Sequence, residues 1–259
     1  METLTQAQVD SFNENGFLRL KGVFDRETVQ WQSDELERLM QEWATHGPGW
    51  KGPWRKAYMT AEEDEKARLD ILGALDTLSE AYYRAVTNDT LVGAVADLLG
   101  TSVEYHHTML HAKGPEMGTP FPMHQDYPFY AHAGPEYIDA LLHIDDTSVE
   151  NGCLKFLPGS HKLGPLDHIG RVESKDTRPH LPVDKYRLQD AIPVPAKAGD
   201  VVFMSYLTIH GSDPNRTDGW RRLVRTGYRD PHNKQLGGHN PGPGLLVRGQ
   251  RRNANATDE

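Results

Sequence analysis

The sequence predicts a mainly β fold, a sandwich or barrel, with helices packed outside it. Three observations point there. From residue 101 onward, short runs rich in β-branched and aromatic residues alternate with Gly, Pro, Asn and Asp turns. The first hundred residues instead carry capped, helix-spaced apolar patterns. A length of 259 residues suits a single domain, 1–259, with the helices buttressing one β core.

Thr5 and Gln8 have capping-box spacing, and Gly16 stands where a helix C-cap would. Phe17–Leu20 alternates as a short strand. Asp25 can cap a longer helix whose stripe is Val29, Leu36, Met40 and Trp43. The run Gly47–Pro53 reads as a loop. Two helices follow, about Leu78–Val86 and Asp89–Leu99, and Gly100 ends the second. Residues 101–230 form the β core, with strands expected at Ser102–Ala112, Tyr137–Asp145, Cys153–Leu157, Ile192–Pro195, Val201–Tyr206 and Arg222–Tyr228. Residues 157–187 are polar and rich in Pro and Gly, as a lid or inserted loop would be. Residues 248–259 read as a polar, frayed tail.

Composition narrows the function. Lys and Arg number 28 against 37 Asp and Glu, a net charge of −9. Nucleic-acid binding needs a basic footprint that this chain lacks. The same acidity speaks against a polyanionic CoA thioester as substrate. The lone cysteine, Cys153, excludes an internal disulfide and a cysteine-based zinc ribbon. The chain opens on a polar stretch, and its longest apolar run, Val201–Ile209, is too short to span a membrane. A cytoplasmic protein is the expectation, with oligomeric state left open.

Thirteen histidines leave room for a metal site. His124 and Asp126 stand two apart in a strand-like segment, so both project to one face. An imidazole and a carboxylate side by side are two ligands of a 2-His-1-carboxylate site, which binds Fe(II) and leaves open positions. His210, at the end of the apolar strand Val201–Tyr206, can supply the third. Arg221 lies eleven residues further on, and a hairpin of that length would return it beside His210. Its fork can clamp a carboxylate through two parallel hydrogen bonds.

Six segments in order resemble the phytanoyl-CoA dioxygenase family of Fe(II)/2-oxoglutarate oxygenases, over most of the chain. They begin with Leu4-Thr5, Phe12, Gly16-Phe17 and Gly22-Val23-Phe24, followed by Thr108-Met109-Leu110. His124-Gln125-Asp126 is the metal motif. Glu150-Asn151-Gly152-Cys153-Leu154 and Pro158-Gly159-Ser160-His161 follow, then Gly199-Asp200, His210-Gly211-Ser212 and Arg221. The resemblance implies a double-stranded β-helix, a jelly roll of the cupin kind. It implies His124, Asp126 and His210 as iron ligands. Arg221, assisted by Ser212, would hold the distal carboxylate of 2-oxoglutarate, and Gln125 and Met109 would line the co-substrate site. No catalytic residue beyond the metal ligands is implied. The reaction would consume O2 and 2-oxoglutarate, release succinate and CO2, and hydroxylate a small molecule. The chain departs from the family at Leu141, where an aromatic residue is frequent. It also lacks a clear match to an upstream lysine contact, for which Lys51 and Lys56 are candidates.

Other residues are candidates for the substrate pocket. His107 and His111 share a strand face with Met109 between them, while His106 points away. Tyr127, Phe129 and Tyr130 follow the metal motif, Leu141 forms a wall, and Trp54 in the Pro/Gly loop can cover the site. Arg225 and Arg229 follow Arg221 on the same face, either to meet an acidic substrate or as exposed ion pairs. His161 shapes its own loop. Two rivals remain: a cupin-like isomerase or dioxygenase without 2-oxoglutarate, which has no use for Arg221 and Ser212, and a catalytically inactive binding domain, which has no use for the triad.

Overall fold

The computed structural model describes residues 3–172 and 175–251. Its helices are α1 (Gln6–Asn15), α2 (Arg26–Trp43), α3 (Ala61–Lys66), α4 (Leu75–Leu78), α5 (Glu80–Val86) and α6 (Asp89–Leu99). The strands run β1 (Phe17–Leu20), β2 (Thr45–Gly47), β3 (Leu69–Gly73), β4 (Val103–Lys113), β5 (Phe121–His124), β6 (Tyr137–His143) and β7 (Leu154–Phe156). They continue as β8 (Ile169–Val172), β9 (Lys175–His180), β10 (Ile192–Val194), β11 (Val201–Ser205), β12 (His210–Ser212), β13 (Arg221–Arg229) and β14 (Leu245–Arg248).

The helices begin where the capping residues dictate. Thr5 and Gln8 satisfy each other's backbone donors, and the Asp25 carboxylate accepts from Thr28 N–H at 2.8 Å. Gly16 closes α1 at φ +83°, where a Cβ would sit 2.4 Å from His161 Nδ1. In α2 the buried residues are Gln32, Leu36, Leu39 and Met40. Trp43, expected on that stripe, is 59% exposed, because the helix ends there and the chain turns away into β2.

Two sheets face each other, as a jelly roll requires. The major sheet has the order β1-β11-β6-β13-β4-β3-β2, with β14 also on β4; the minor sheet has the order β10-β7-β12-β5. The helices cover the outer face of the major sheet. There Leu110 and Ala112 of β4 and Val224 of β13 pack with Leu36, Tyr82, Leu91 and Val95 in the largest core. Strand alternation then turns Met109, His111 and Lys113 of β4, and Arg221, Leu223 and Arg225 of β13, toward the minor sheet. The sequence patterns miss β2, β3, β12 and β14, each too short or too mixed to alternate visibly.

The segment 157–187 carries the hairpin β8–β9 rather than irregular loop alone. At the other end of the chain, Arg251 bonds Glu104, so the tail is held at that point; residues 252–259 of the expected frayed tail lie outside the described residues. No described helix is long and apolar enough to cross a membrane.

Candidate active site

His124 ends β5 and His210 begins β12, and the two are register partners across these strands. Each ring is held by its own backbone. His124 Nδ1–H donates to Pro122 O at 2.8 Å, and His210 Nδ1–H donates to Thr208 O at 3.0 Å. That fixes the tautomer and leaves both Nε2 lone pairs facing inward, as a metal-binding histidine needs. Burial, then the neighbouring His124, pushes His210 down to about 4, so its lone pair is free at neutral pH.

Asp126 completes the group, but by a route other than strand alternation. β5 stops at His124, and Asp126 adopts a helical φ of −80° at the head of a short 3-10 turn. Its N–H donates to Tyr206 O at 2.9 Å. One oxygen then lies 3.5 Å from His124 Nε2 and the other 3.9 Å from His210 Nε2. The candidate ligand atoms of all three buried residues fall within 4.8 Å of one another. Burial raises the Asp126 carboxyl, yet the Arg225 guanidinium outweighs it and holds the group well below the usual carboxylate range. Two imidazoles and one carboxylate with inward-facing lone pairs fit a divalent iron.

Arg225 therefore does not form an exposed ion pair. Its Nη1 lies 2.8 Å from Asp126 Oδ2 and donates to Tyr130 Oη at 3.1 Å. Tyr130 in turn donates to Asp139 at 2.7 Å. Arg229 is also buried, paired with Glu104 at 2.6 Å.

Arg221 is 2% exposed, lines the same cavity and pairs with no carboxylate among the described residues. Its Nε is buried without a hydrogen-bond partner, and burial lowers the guanidinium to about 10. It does not return beside His210 in a hairpin. β12 belongs to the minor sheet and β13 to the major one, so Arg221 faces the histidines across the cavity. Its partner in register is Lys113, fully buried, whose Nζ donates to Ser212 Oγ at 2.7 Å and to Asp213 O. Burial, then Arg221, pushes that amine well down. A buried guanidinium costs several kcal/mol unless compensated. Its fork can take a carboxylate through two parallel hydrogen bonds.

The remaining expectations divide. Met109, His111, Phe129 and Leu141 line the cavity with Leu154, Met204 and Ser212. Gln125 does not: its amide donates to Gly164 O and Leu207 O, and Leu166 N–H donates to it, so it tethers residues 164–168. Nor do His107, Tyr127 and Trp54 reach the cavity. A bulge leaves His106 unpaired opposite Gly227 and Tyr228 and puts the ring nitrogens of His106 and His107 3.1 Å apart around the Tyr137 hydroxyl. Tyr127 packs on Tyr206, and Trp54 lies under His180. Trp50, from the same loop, covers the site instead, 4.9 Å from the His124 ring and 5.4 Å from Phe129. Arg55 pins that loop by donating to Pro48 O and Trp50 O. Two tryptophans four residues apart in one Pro/Gly-rich stretch cannot be told apart by pattern. Lys51 and Lys56 are exposed, whereas Lys113 is buried opposite Arg221. His161 keeps its structural place, at Asn13 O and Gly16.

Comparison with known proteins decides the family. The phytanoyl-CoA dioxygenase (PhyH) family model matches residues 12–223. The chain belongs to the phytanoyl-CoA dioxygenase family. Among relatives of this phytanoyl-CoA dioxygenase family member, the dioxygenase lolE1 of Epichloe uncinata is 29% identical over 230 residues, 83% of this chain and 79% of that one. The peroxisomal phytanoyl-CoA dioxygenase of Rattus norvegicus is 28% identical over 249 residues, 87% and 68% of the two chains. The fold is that of the α-ketoglutarate-dependent carbocyclase SnoK from nogalamycin biosynthesis, with a TM-score of 0.73 at 20% identity, covering 96% and 95%. The protein is a non-haem Fe(II)- and 2-oxoglutarate-dependent dioxygenase that uses O2. That removes the cupin-like isomerase and the inactive binding domain.

Proposed function

We propose that the enzyme hydroxylates a small-molecule metabolite, with His124, Asp126 and His210 holding the iron and Arg221 holding the distal carboxylate of 2-oxoglutarate. The observation that carries this reading is the pairing of three inward-facing ligand atoms with an unpaired, buried guanidinium across one cavity. When bound, the metal and co-substrate supply the O2-dependent oxidation, with succinate and CO2 as co-products.

The chain's own residues bind, orient and dry the site. The backbone carbonyls of Pro122 and Thr208 aim the two imidazoles. Arg225 engages Oδ2 of Asp126 and so sets the orientation of the carboxylate that would help hold the metal. Lys113 orients the Ser212 hydroxyl beside Arg221. Leu141, Leu154 and Met204 line the carboxylate end with apolar atoms, which strengthens the pairing with Arg221 by lowering the local dielectric. Trp50 and Phe129 shield the metal face. Residues 157–187, tied through Gln125 to the metal strand, act as the cover within one catalytic domain spanning 1–259. A reducing, cytoplasmic setting suits a lone, buried Cys153.

Incubation with Fe(II), 2-oxoglutarate and O2 tests the reading. Succinate should form in the wild type and fall to background in His124→Ala and Arg221→Ala. Equal succinate from all three would contradict it.

A further inference from the structure

Resting on the oxygenase reading above, we propose that the substrate carries an acid group, carboxylate or phosphate, that Arg178 captures at the cavity, while an apolar body lies against Trp50, Phe121 and Phe129. Three arginines line the cavity, Arg178, Arg221 and Arg225, and Asp126 is the one acidic residue among its described lining. Two of the three are committed. Arg221 sits with Lys113 at the carboxylate end, and Arg225 is bound to Asp126 and Tyr130. Arg178 is exposed and its guanidinium has no ion pair or hydrogen bond with any described residue. In a chain of net charge −9, a cation with no carboxylate partner among the described residues, at the mouth of the site, is not a by-product of a basic surface. His239, also at the lining, adds a second donor for an acid.

Arg178 stands on an anchored strand. Two residues on, the buried His180 donates from Nδ1 to Arg178 O at 2.9 Å, and its ring packs against Trp54 at 6.1 Å. Leu181 N–H donates to Met123 O at 2.9 Å, next to the ligand His124. β9 is thereby fixed to the strand that carries the metal, so a group bound by Arg178 is held at a set distance from the oxidising centre. Such positioning by a remote charged group is what converts binding into correct placement of the reacting carbon. The apolar body has an aromatic wall: Trp50 meets Phe121 edge to face at 5.1 Å and Phe129 at 5.4 Å.

The test uses the Fe(II)- and 2-oxoglutarate-loaded enzyme without O2. A panel of aryl and alkyl acids, 3-phenylpropionate and phenyl phosphate among them, is titrated against the matching neutral amides and alcohols. Binding is read from tryptophan fluorescence. The acids should bind roughly tenfold tighter than their neutral partners, the order of a charge-assisted hydrogen bond. Arg178→Ala should erase that difference without moving the neutral ligands, Arg178→Glu should reverse it, and Arg178→Lys should keep part of it. A preference for carboxylate or for phosphate across the panel names the acid. Acids and neutral ligands indistinguishable across the panel, or an acid preference that survives in Arg178→Glu, would overturn the proposal. A loaded wild type that shows the iron–2-oxoglutarate absorption band but no acid preference refutes this proposal alone. A wild type without that band refutes the oxygenase reading and this proposal with it.

Discussion

The two walls of the cavity are built by different means. The minor-sheet wall holds the candidate ligands through local contacts: each histidine is aimed by a carbonyl two residues before it, and Asp126 by a short turn. The major-sheet wall holds cations through register. Lys113 stands opposite Arg221 only because β4 and β13 pair as they do, and Arg225 reaches Asp126 across the space between sheets. The local wall presents two imidazoles and one carboxylate. The register wall presents the guanidinium groups of Arg221 and Arg225 and the buried amine of Lys113.

Variants can break this contrast, beginning with the ligands. His124→Ala or Asp126→Ala should abolish iron binding and lower turnover by more than the roughly 100-fold that loss of an outer partner costs; metal content and succinate yield check it. Arg221→Met should raise KM for 2-oxoglutarate on the order of 100-fold, as two charge-assisted bonds disappear. It should also raise the melting temperature of the ligand-free protein, because an uncompensated buried charge is removed. A fall in that melting temperature would mean the guanidinium is already satisfied without ligand. Arg225→Met should weaken metal binding by roughly tenfold or more through a freed Asp126, with KM for 2-oxoglutarate little changed. Lys113→Met should raise that KM by about tenfold.

The smallest effect is on pH. His106, His132 and His143 are each pushed down to about 4 by burial, against about 6.5 in an unfolded chain. Between those values the unfolded state binds more protons, so the metal-free protein loses stability as pH falls from 6.5 toward 4 and is insensitive to these groups above 6.5. Thermal melts across that range should show the decline; a flat profile would mean the histidines are open to water.

This division also explains what the sequence could reveal. That His124, Asp126 and His210 come together was legible because a short motif and a strand end carry their geometry, although Asp126 joins the two histidines through a turn and not by alternation. Arg221 was legible as a residue, but the hairpin offered for it was wrong: β12 and β13 lie in different sheets, and their separation of eleven residues gives no hint of that. Lys113 was invisible because its meaning lies in a cross-strand pairing. Gln125 and Trp54 show the converse. Both flank cavity residues, and only packing turns Gln125 to residues 164–166 and sets Trp50, in place of Trp54, against His124. The capped helices α1, α2, α5 and α6 could be read from the chain, since caps and periodicity are local. The order of strands in the two sheets could not.

The union of the two walls has a direct optical test. Fe(II) and 2-oxoglutarate added without O2 should give the wild type a visible charge-transfer band with one chelate per chain. The band should be absent in His124→Ala at any co-substrate concentration, and in Arg221→Met it should return only at far higher 2-oxoglutarate. A wild type without the band, or an Arg221→Met variant that forms it at the wild-type concentration, would contradict a site in which the minor sheet holds the metal and the major sheet holds its co-substrate.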